Sequence, residues 1–286
     1  MFHHTSRYLE EAEKLAVAGA GIEPVLDKLR QLCLDDFGEF FISLPNPAYP
    51  ALSRLLPPMA SAEVQKNWTG ASGGQLLMQT ASFVRQLENN YTRYVGKPLA
   101  GARILDFGCG YGRIFRMLYY YAYPKDLWGI DAWQKSLDLC KQANLPGNFA
   151  LSDAVPQTLP VGDRKFDLIF SLSVFTHLSP KATEACLSAI RHHIDDRGLL
   201  VATVRPIEFW SYIEQVRDQK IAQRMREMHI KEGFAYIPHN GAEGETYGDS
   251  SISFEYFSRP GWKMLGYDRS LIDPYQVSII LQPTGI

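Results

Sequence analysis

Asp106-Phe107-Gly108-Cys109-Gly110-Tyr111-Gly112-Arg113-Ile114-Phe115 sets glycines at alternate positions behind a carboxylate. The largely apolar run Ala102-Arg103-Ile104-Leu105 comes before it, and Ile114, Met117, Leu118 and Tyr121 follow at helical spacing. That order predicts a buried strand, a tight loop and an amphipathic helix. Glycine at this density serves left-handed backbone, or a ligand that must touch the main chain where a Cβ would collide. In open α/β folds such strand-to-helix turns lie at the carboxyl end of the sheet. Backbone N–H groups at the helix start there favour electron-rich ligand groups.

Two phosphate-binding patterns compete for the loop, and neither fits. The dinucleotide fingerprint needs a glycine where Arg113 stands or, begun at Gly110, where Phe115 stands; the phosphate loop G-x-x-x-x-G-K-[ST] has no match. A carboxylate at the strand end would also repel a pyrophosphate, whereas it suits an ammonium group or a water. The expected ligand therefore has a positive or hydrogen-bond-donating end. Taken alone, the loop is equally compatible with a structural glycine turn.

Ile104 to Gly112 resembles motif I of the class I S-adenosylmethionine-dependent methyltransferases. The resemblance implies that Asp106, Gly108, Gly110 and Gly112 receive the methionine part of S-adenosylmethionine. Leu127-Trp128-Gly129-Ile130-Asp131 is similar to the family's next strand. Asp131 follows the last glycine by about 20 residues, the interval at which a carboxylate accepts ribose hydroxyls, and Ala132 adjoins it. Dinucleotide enzymes share that feature, so Asp131 supports an adenosine ligand in general; its alternative is a helix N-cap. Phe149 to Ala154 resembles the third strand and would bring Asp153 to the adenine amino group, with Ala154 beside it. A Ser-Asp pair before a proline-containing loop is also a common turn. Phe166 to Leu178 looks like the fourth strand and its following loop, which places Ser171 at the cofactor; Ser179 and Pro180 suit the N-cap and first turn of a helix.

These segments predict an α/β fold, and the family resemblance implies a Rossmann-like seven-stranded, mostly parallel sheet flanked by helices. Strands fall near 103–107, 127–131, 149–152, 166–171 and 198–204, and helices near 112–122, 133–142 and 180–194. The family resemblance implies that Met264–Leu271 and Tyr275–Leu281 add an antiparallel pair. Residues 97–286 would form this domain, and residues 1–96 a helical N-terminal cap crossed by a segment rich in proline. A lid-like helical insertion is expected over 206–245, after the fifth strand. Phe209, Trp210, Tyr212, Ile213 and Val216 would open one long helix there, and residues 233–248 would be a loop. Cap and insertion together would roof the site and keep water from the transfer. Trp68, in the loop Asn67 to Gly74, is either a cover over cofactor or substrate or a core anchor.

Composition narrows the partners. A content of 46% hydrophobic residues in 286 supports a sizeable core. A formal net charge of −2 with no long basic run speaks against nucleic acid or a membrane surface as partner. No apolar run reaches the length of a membrane span and Met1-Phe2-His3-His4 opens no secretory signal, so a cytoplasmic location is expected. Cys33, Cys109, Cys140 and Cys186 lack paired spacing, and no metal is expected. Family members that methylate planar amino groups carry Asn or Asp, Pro-Pro and an aromatic after the fourth strand, where this chain has Ser171-Leu172-Ser173-Val174. That difference points to the hydroxyl of a small molecule or saccharide as acceptor. A hydroxyl needs a base, for which His177 is the candidate by location; the alternative is a structural histidine. Tyr247 and Asp249 are candidate substrate contacts. An NAD-type oxidoreductase and a module that binds the cofactor without turnover stay open as alternatives.

Overall fold

The computed structural model describes residues 3–216, 218–239 and 245–285. Helices α1 (Ser6–Val17), α2 (Ile22–Leu29), α3 (Leu34–Ile42), α4 (Pro50–Leu55), α5 (Ala62–Thr69) and α6 (Gly73–Val95) lead the chain. Strands and helices then follow, alternating except between β3 and β4: β1 (Ile104–Phe107), α7 (Arg113–Leu118), β2 (Leu127–Asp131), α8 (Gln134–Gln142), β3 (Asn148–Leu151), β4 (Phe166–Ser171), α9 (Pro180–His193) and β5 (Ile194–Val204). After α10 (Phe209–Val216), α11 (Gln219–Glu232), β6 (Phe234–Pro238) and β7 (Gly248–Ile252), the chain returns with β8 (Trp262–Arg269) and β9 (Val277–Pro283). The main sheet has the order β3-β2-β1-β4-β5-β9-β8. Strands β1 to β5 run parallel, β9 is antiparallel to β5, and β8 is antiparallel to β9. The direction of winding reverses between β1 and β4, the switch point at which open α/β sheets take ligands. Strand β5 begins before the expected 198, at Ile194, and takes in Asp195 and Asp196. The register there slips from Phe166 opposite Ile194 to Leu168 opposite Leu199.

The insertion departs from its sequence reading. Its single long helix is two, because Asp218 caps α11 by accepting from the backbone of Lys220 and Ile221. The expected loop contains β6, which pairs antiparallel with β7 as a separate two-stranded sheet. Phe209, Trp210, Ile213, Ala222, Met225 and Ala235 bury one another in a small core of their own. Trp210 is fully buried and donates its indole N–H to Ser251 Oγ at 2.7 Å.

The N-terminal helices share the core of the sheet. Phe37, Phe40 and Phe41 of α3 belong to one continuous apolar cluster with Ile104, Leu118, Tyr119 and Phe170. Helix α6 buries Leu76, Thr80, Phe83, Val84, Leu87 and Tyr91, one stripe of an amphipathic helix. That stripe packs on α3, α7 and β5. Arg116 is 1% exposed. It donates to the carbonyls of Tyr111, Gly112 and Pro58 at 2.7, 2.8 and 2.8 Å, tying the glycine loop to the proline-rich segment.

Candidate functional site

Gly108 and Gly110 hold left-handed φ angles of 84° and 53°, which side chains with a Cβ rarely adopt. A Cβ on Gly108 would stand 2.3 Å from Val174 Cγ2, whereas one on Gly110 would meet only the Trp68 ring, at 3.6 Å. Gly108 is thus bare because the loop after β4 packs against it, and Gly110 because it faces a cavity under Trp68. The N–H groups of Gly108 and Cys109 both donate to Ile130 O, at 2.8 and 3.0 Å, which docks the loop on β2. The cavity, of about 550 Å³, is walled by the segments that follow β1, β2, β3 and β4. Asn67, Trp68 and Thr69 close it from the cap, and Thr246 and Tyr247 from the insertion.

Three carboxylates face this space: Asp106, Asp131 and Asp153. Asp106 is 3% exposed and its Oδ2 has no hydrogen-bond partner among the described residues. Burial pushes its pKa well above the usual carboxylate range, with repulsion from Asp131 adding to the rise and Arg113 opposing it. Such an orphaned buried oxygen fits a donor supplied by a ligand. Asp131 accepts from Gly110 N at 2.8 Å and Trp133 N at 2.9 Å. Burial raises its pKa, and these N–H groups pull against the rise. A carboxylate can accept about four bonds, so Asp131 can also receive donors from a ligand. The alternative of a helix N-cap fails, since α8 begins after Trp133. Asp153 is exposed at the rim, with Ala132 and Ala154 also on the wall.

An aromatic belt edges the cavity. Trp68 meets Tyr111 and Trp133 edge to face, with centroids at 5.8 and 6.1 Å, and Trp133 lies 5.8 Å from Tyr247. Tyr247 stacks on His177 at 4.9 Å and 15°. Backbone bonds pin this side of the insertion to the loop after β4: Ser179 N to Thr246 O, Gly248 N to His177 O and Ser250 N to Thr176 O, at 3.0, 2.8 and 3.0 Å. His177 Nδ1 donates to Gly248 O at 2.7 Å, so Nε2 carries the lone pair, and Arg205 Nη2 points at it from 3.2 Å. Burial, with Arg205 adding to it, lowers the His177 pKa to about 4. A neutral imidazole with its lone pair covered is poorly placed to take a proton.

Behind His177, Arg205 Nη1 donates to Asp249 Oδ1 at 2.7 Å. His177, His239 and Asp249 each bring a metal-ligand atom within 4.8 Å of the others. The Arg205 guanidinium, bonded to both Asp249 and His177, takes the part that a cation would play in such a cluster. Several sequence-derived candidates lie off the cavity wall. Ser171 is fully buried within β4 and its successors Leu172 and Ser173 reach the cavity instead. Gly112 serves as the N-cap of α7, and Asp249 is buried against Arg205. Conversely, Tyr111, Arg113 and Trp133 line the cavity without having been singled out. Ser173 adds a non-glycine φ of 62° right after β4, fixed by Thr203 Oγ1 on its N–H and Gln276 Nε2 on its hydroxyl.

Residues 104–198 match a family described as a methyltransferase domain. No curated protein matches the chain. Among solved structures, a protein from Pyrococcus horikoshii OT3 is similar at 17% identity, covering 71% of this chain and 90% of its own, with a TM-score of 0.49. Streptomyces venezuelae DesVI is similar at 13% identity, covering 79% and 99% respectively, with a TM-score of 0.49. The magnesium protoporphyrin IX methyltransferase of Synechocystis PCC 6803 is similar at 15%, covering 77% and 91%, with a TM-score of 0.47. Among the described residues no helix is long and apolar enough to cross a membrane. The matched stretch supplies β1 to β4, the glycine loop and the acids that face the cavity, so this part of the chain is a methyltransferase domain.

Proposed function

We propose that the enzyme methylates a hydroxyl of a small molecule or saccharide, with the cofactor laid along the carboxyl ends of β1 to β3. In this reading Asp106 takes the ammonium of the methionine end, the glycine loop gives way to the chain that carries it, Asp131 accepts both ribose hydroxyls and Asp153 meets the adenine amino group. Ala132 and Ala154 flank the nucleoside. Bound S-adenosylmethionine supplies an electrophilic methyl group. Trp68 and Tyr247 bring cap and insertion over the acceptor end and exclude water from it. The observation that carries the acceptor class is the chemistry of that end. Asn67, Thr69, Ser173, Thr246 and Tyr247 offer neutral hydrogen-bonding groups, and aromatic faces stand next to them, a wall suited to a neutral polyol.

His177 shapes this wall by holding Tyr247 and the β7 backbone; proton abstraction by its Nε2 would require Arg205 to move away. Calorimetric titration with S-adenosylmethionine and with NAD tests the cofactor placement, the expected result being tight binding of the first only and its loss in Asp131→Ala. Mass analysis of products from a panel of sugars, polyols and amines, followed by release of S-adenosylhomocysteine, tests the acceptor. Methylation on nitrogen alone would overturn the hydroxyl assignment, and binding without turnover on any acceptor would favour a cofactor-holding module.

A further inference from the structure

The glycine loop carries two side chains that the cofactor placement above does not use. Arg113 is the only lysine or arginine among the described residues that line the cavity. Its Nη1 donates to Thr80 Oγ1 at 2.9 Å, while the Thr80 hydroxyl donates onward to Leu76 O at 2.7 Å. One edge of the guanidinium is therefore fixed by α6, and a guanidinium has five N–H donors in a rigid fork. Two residues earlier, Tyr111 is 3% exposed and its hydroxyl has no hydrogen-bond partner among the described residues. A phenol buried in this way ordinarily has one. Both residues line the cavity together with Asp106, and Arg113 favours the charged form of each. A guanidinium fork and an idle hydroxyl beside an unpaired carboxylate form the complement of an α-amino acid, whose ammonium and carboxylate are one carbon apart.

We propose that Arg113 and Tyr111 bind the carboxylate of the cofactor's methionine end, so that the loop recognises both charges of the amino acid. This rests on the cofactor placement given under Proposed function. A carboxylate or phosphate of the acceptor is the competing occupant for the same donors.

The test is calorimetric titration of the full chain with S-adenosylmethionine, its decarboxylated analogue and 5′-methylthioadenosine, using wild type, Arg113→Gln and Tyr111→Phe. Wild type is expected to prefer S-adenosylmethionine over the decarboxylated analogue. In Arg113→Gln the affinity for S-adenosylmethionine should fall by about 10- to 100-fold, as loss of a charge-assisted bond predicts. Affinity for the other two ligands should hold, which also reports that the variant is folded. Tyr111→Phe, which deletes a single oxygen, should lower the same preference by about 3- to 10-fold, and it decides the matter if Arg113→Gln fails to fold. An unchanged preference in a variant that still binds 5′-methylthioadenosine would overturn the proposal and leave the acceptor as the anion at Arg113. No binding of S-adenosylmethionine by wild type would instead overturn the cofactor placement itself.

Discussion

Asp106 is disfavoured in its charged form by burial, which Arg113 opposes only in part. Its folded pKa is raised by burial, so the folded state gives up stability as pH rises from the ordinary carboxylate value through the raised one. Asp106→Asn removes that loss. The variant without ligand should melt a few degrees above wild type at neutral pH, the gap closing toward pH 4, while its affinity for S-adenosylmethionine drops by about 10-fold or more. Scanning calorimetry over pH checks the first and titration the second; a variant less stable than wild type at pH 7 would contradict the argument. His177 has the opposite sign. Its pKa is lowered from 6.5 to about 4, so its neutral burial favours folding above pH 6.5 and loses that contribution as pH falls toward 4. His177→Gln should flatten the acid limb of stability, and the wild-type rate should show no inflection from this residue at about pH 6 to 7. At this scale the sequence was legible where a residue's place on the cavity wall follows from its place after a strand. Gly108, Gly110, Asp131 and Asp153 each stand at a strand end, where position in the chain decides position in the site. Tyr111 and Arg113 stood in the same quoted stretch and escaped, because the course of a long side chain depends on distant partners such as Thr80.

The element that sequence reading mistook, the hairpin of β6 and β7, shows how the acceptor side is built. Phe234-Ala235-Tyr236-Ile237-Pro238 is short and ends in proline, and Gly248 to Ile252 is mostly small and polar, so neither run has the apolar alternation that marks a strand. Their pairing is fixed instead by long-range bonds. Arg205, just past β5, donates to Thr176 O and to Asp249 Oδ1 at 2.9 and 2.7 Å, joining three segments under the cavity. Asp249 is 4% exposed, so removing Arg205 takes the guanidinium from a buried carboxylate. Arg205→Leu should destabilise the protein by about 3–5 kcal/mol, and adding Asp249→Leu should return a large part of that loss. Urea denaturation of the two single variants and the double variant measures the coupling. Full additivity would show that the pair does not act as a unit.

Across the whole molecule, the division into a cap and a catalytic domain describes chain order better than it describes packing. The parallel sheet with its antiparallel closing pair was legible because each βα unit repeats the same local signal. The union of the N-terminal helices with that sheet was not, since an amphipathic stripe reveals that it is buried and not what buries it. The stripe of α6 and the phenylalanines of α3 cover α7 and the face of the sheet that carries Ile104 and Phe170. Arg116 then carries the glycine loop onto Pro58, and Trp68 covers Gly110. A fragment of residues 97–286 would expose that apolar face and strip the loop of its supports, so it should aggregate or unfold without a cooperative transition. The full chain should melt in one transition, without an earlier step for the cap. Calorimetry of the full chain and titration of the fragment with S-adenosylmethionine decide this. A soluble fragment that binds the cofactor within about tenfold of the full chain would mean that the shared core contributes stability alone. The expected loss of binding would mean that the N-terminal helices hold the cofactor loop in its working shape, which makes them part of the site as well as its cover.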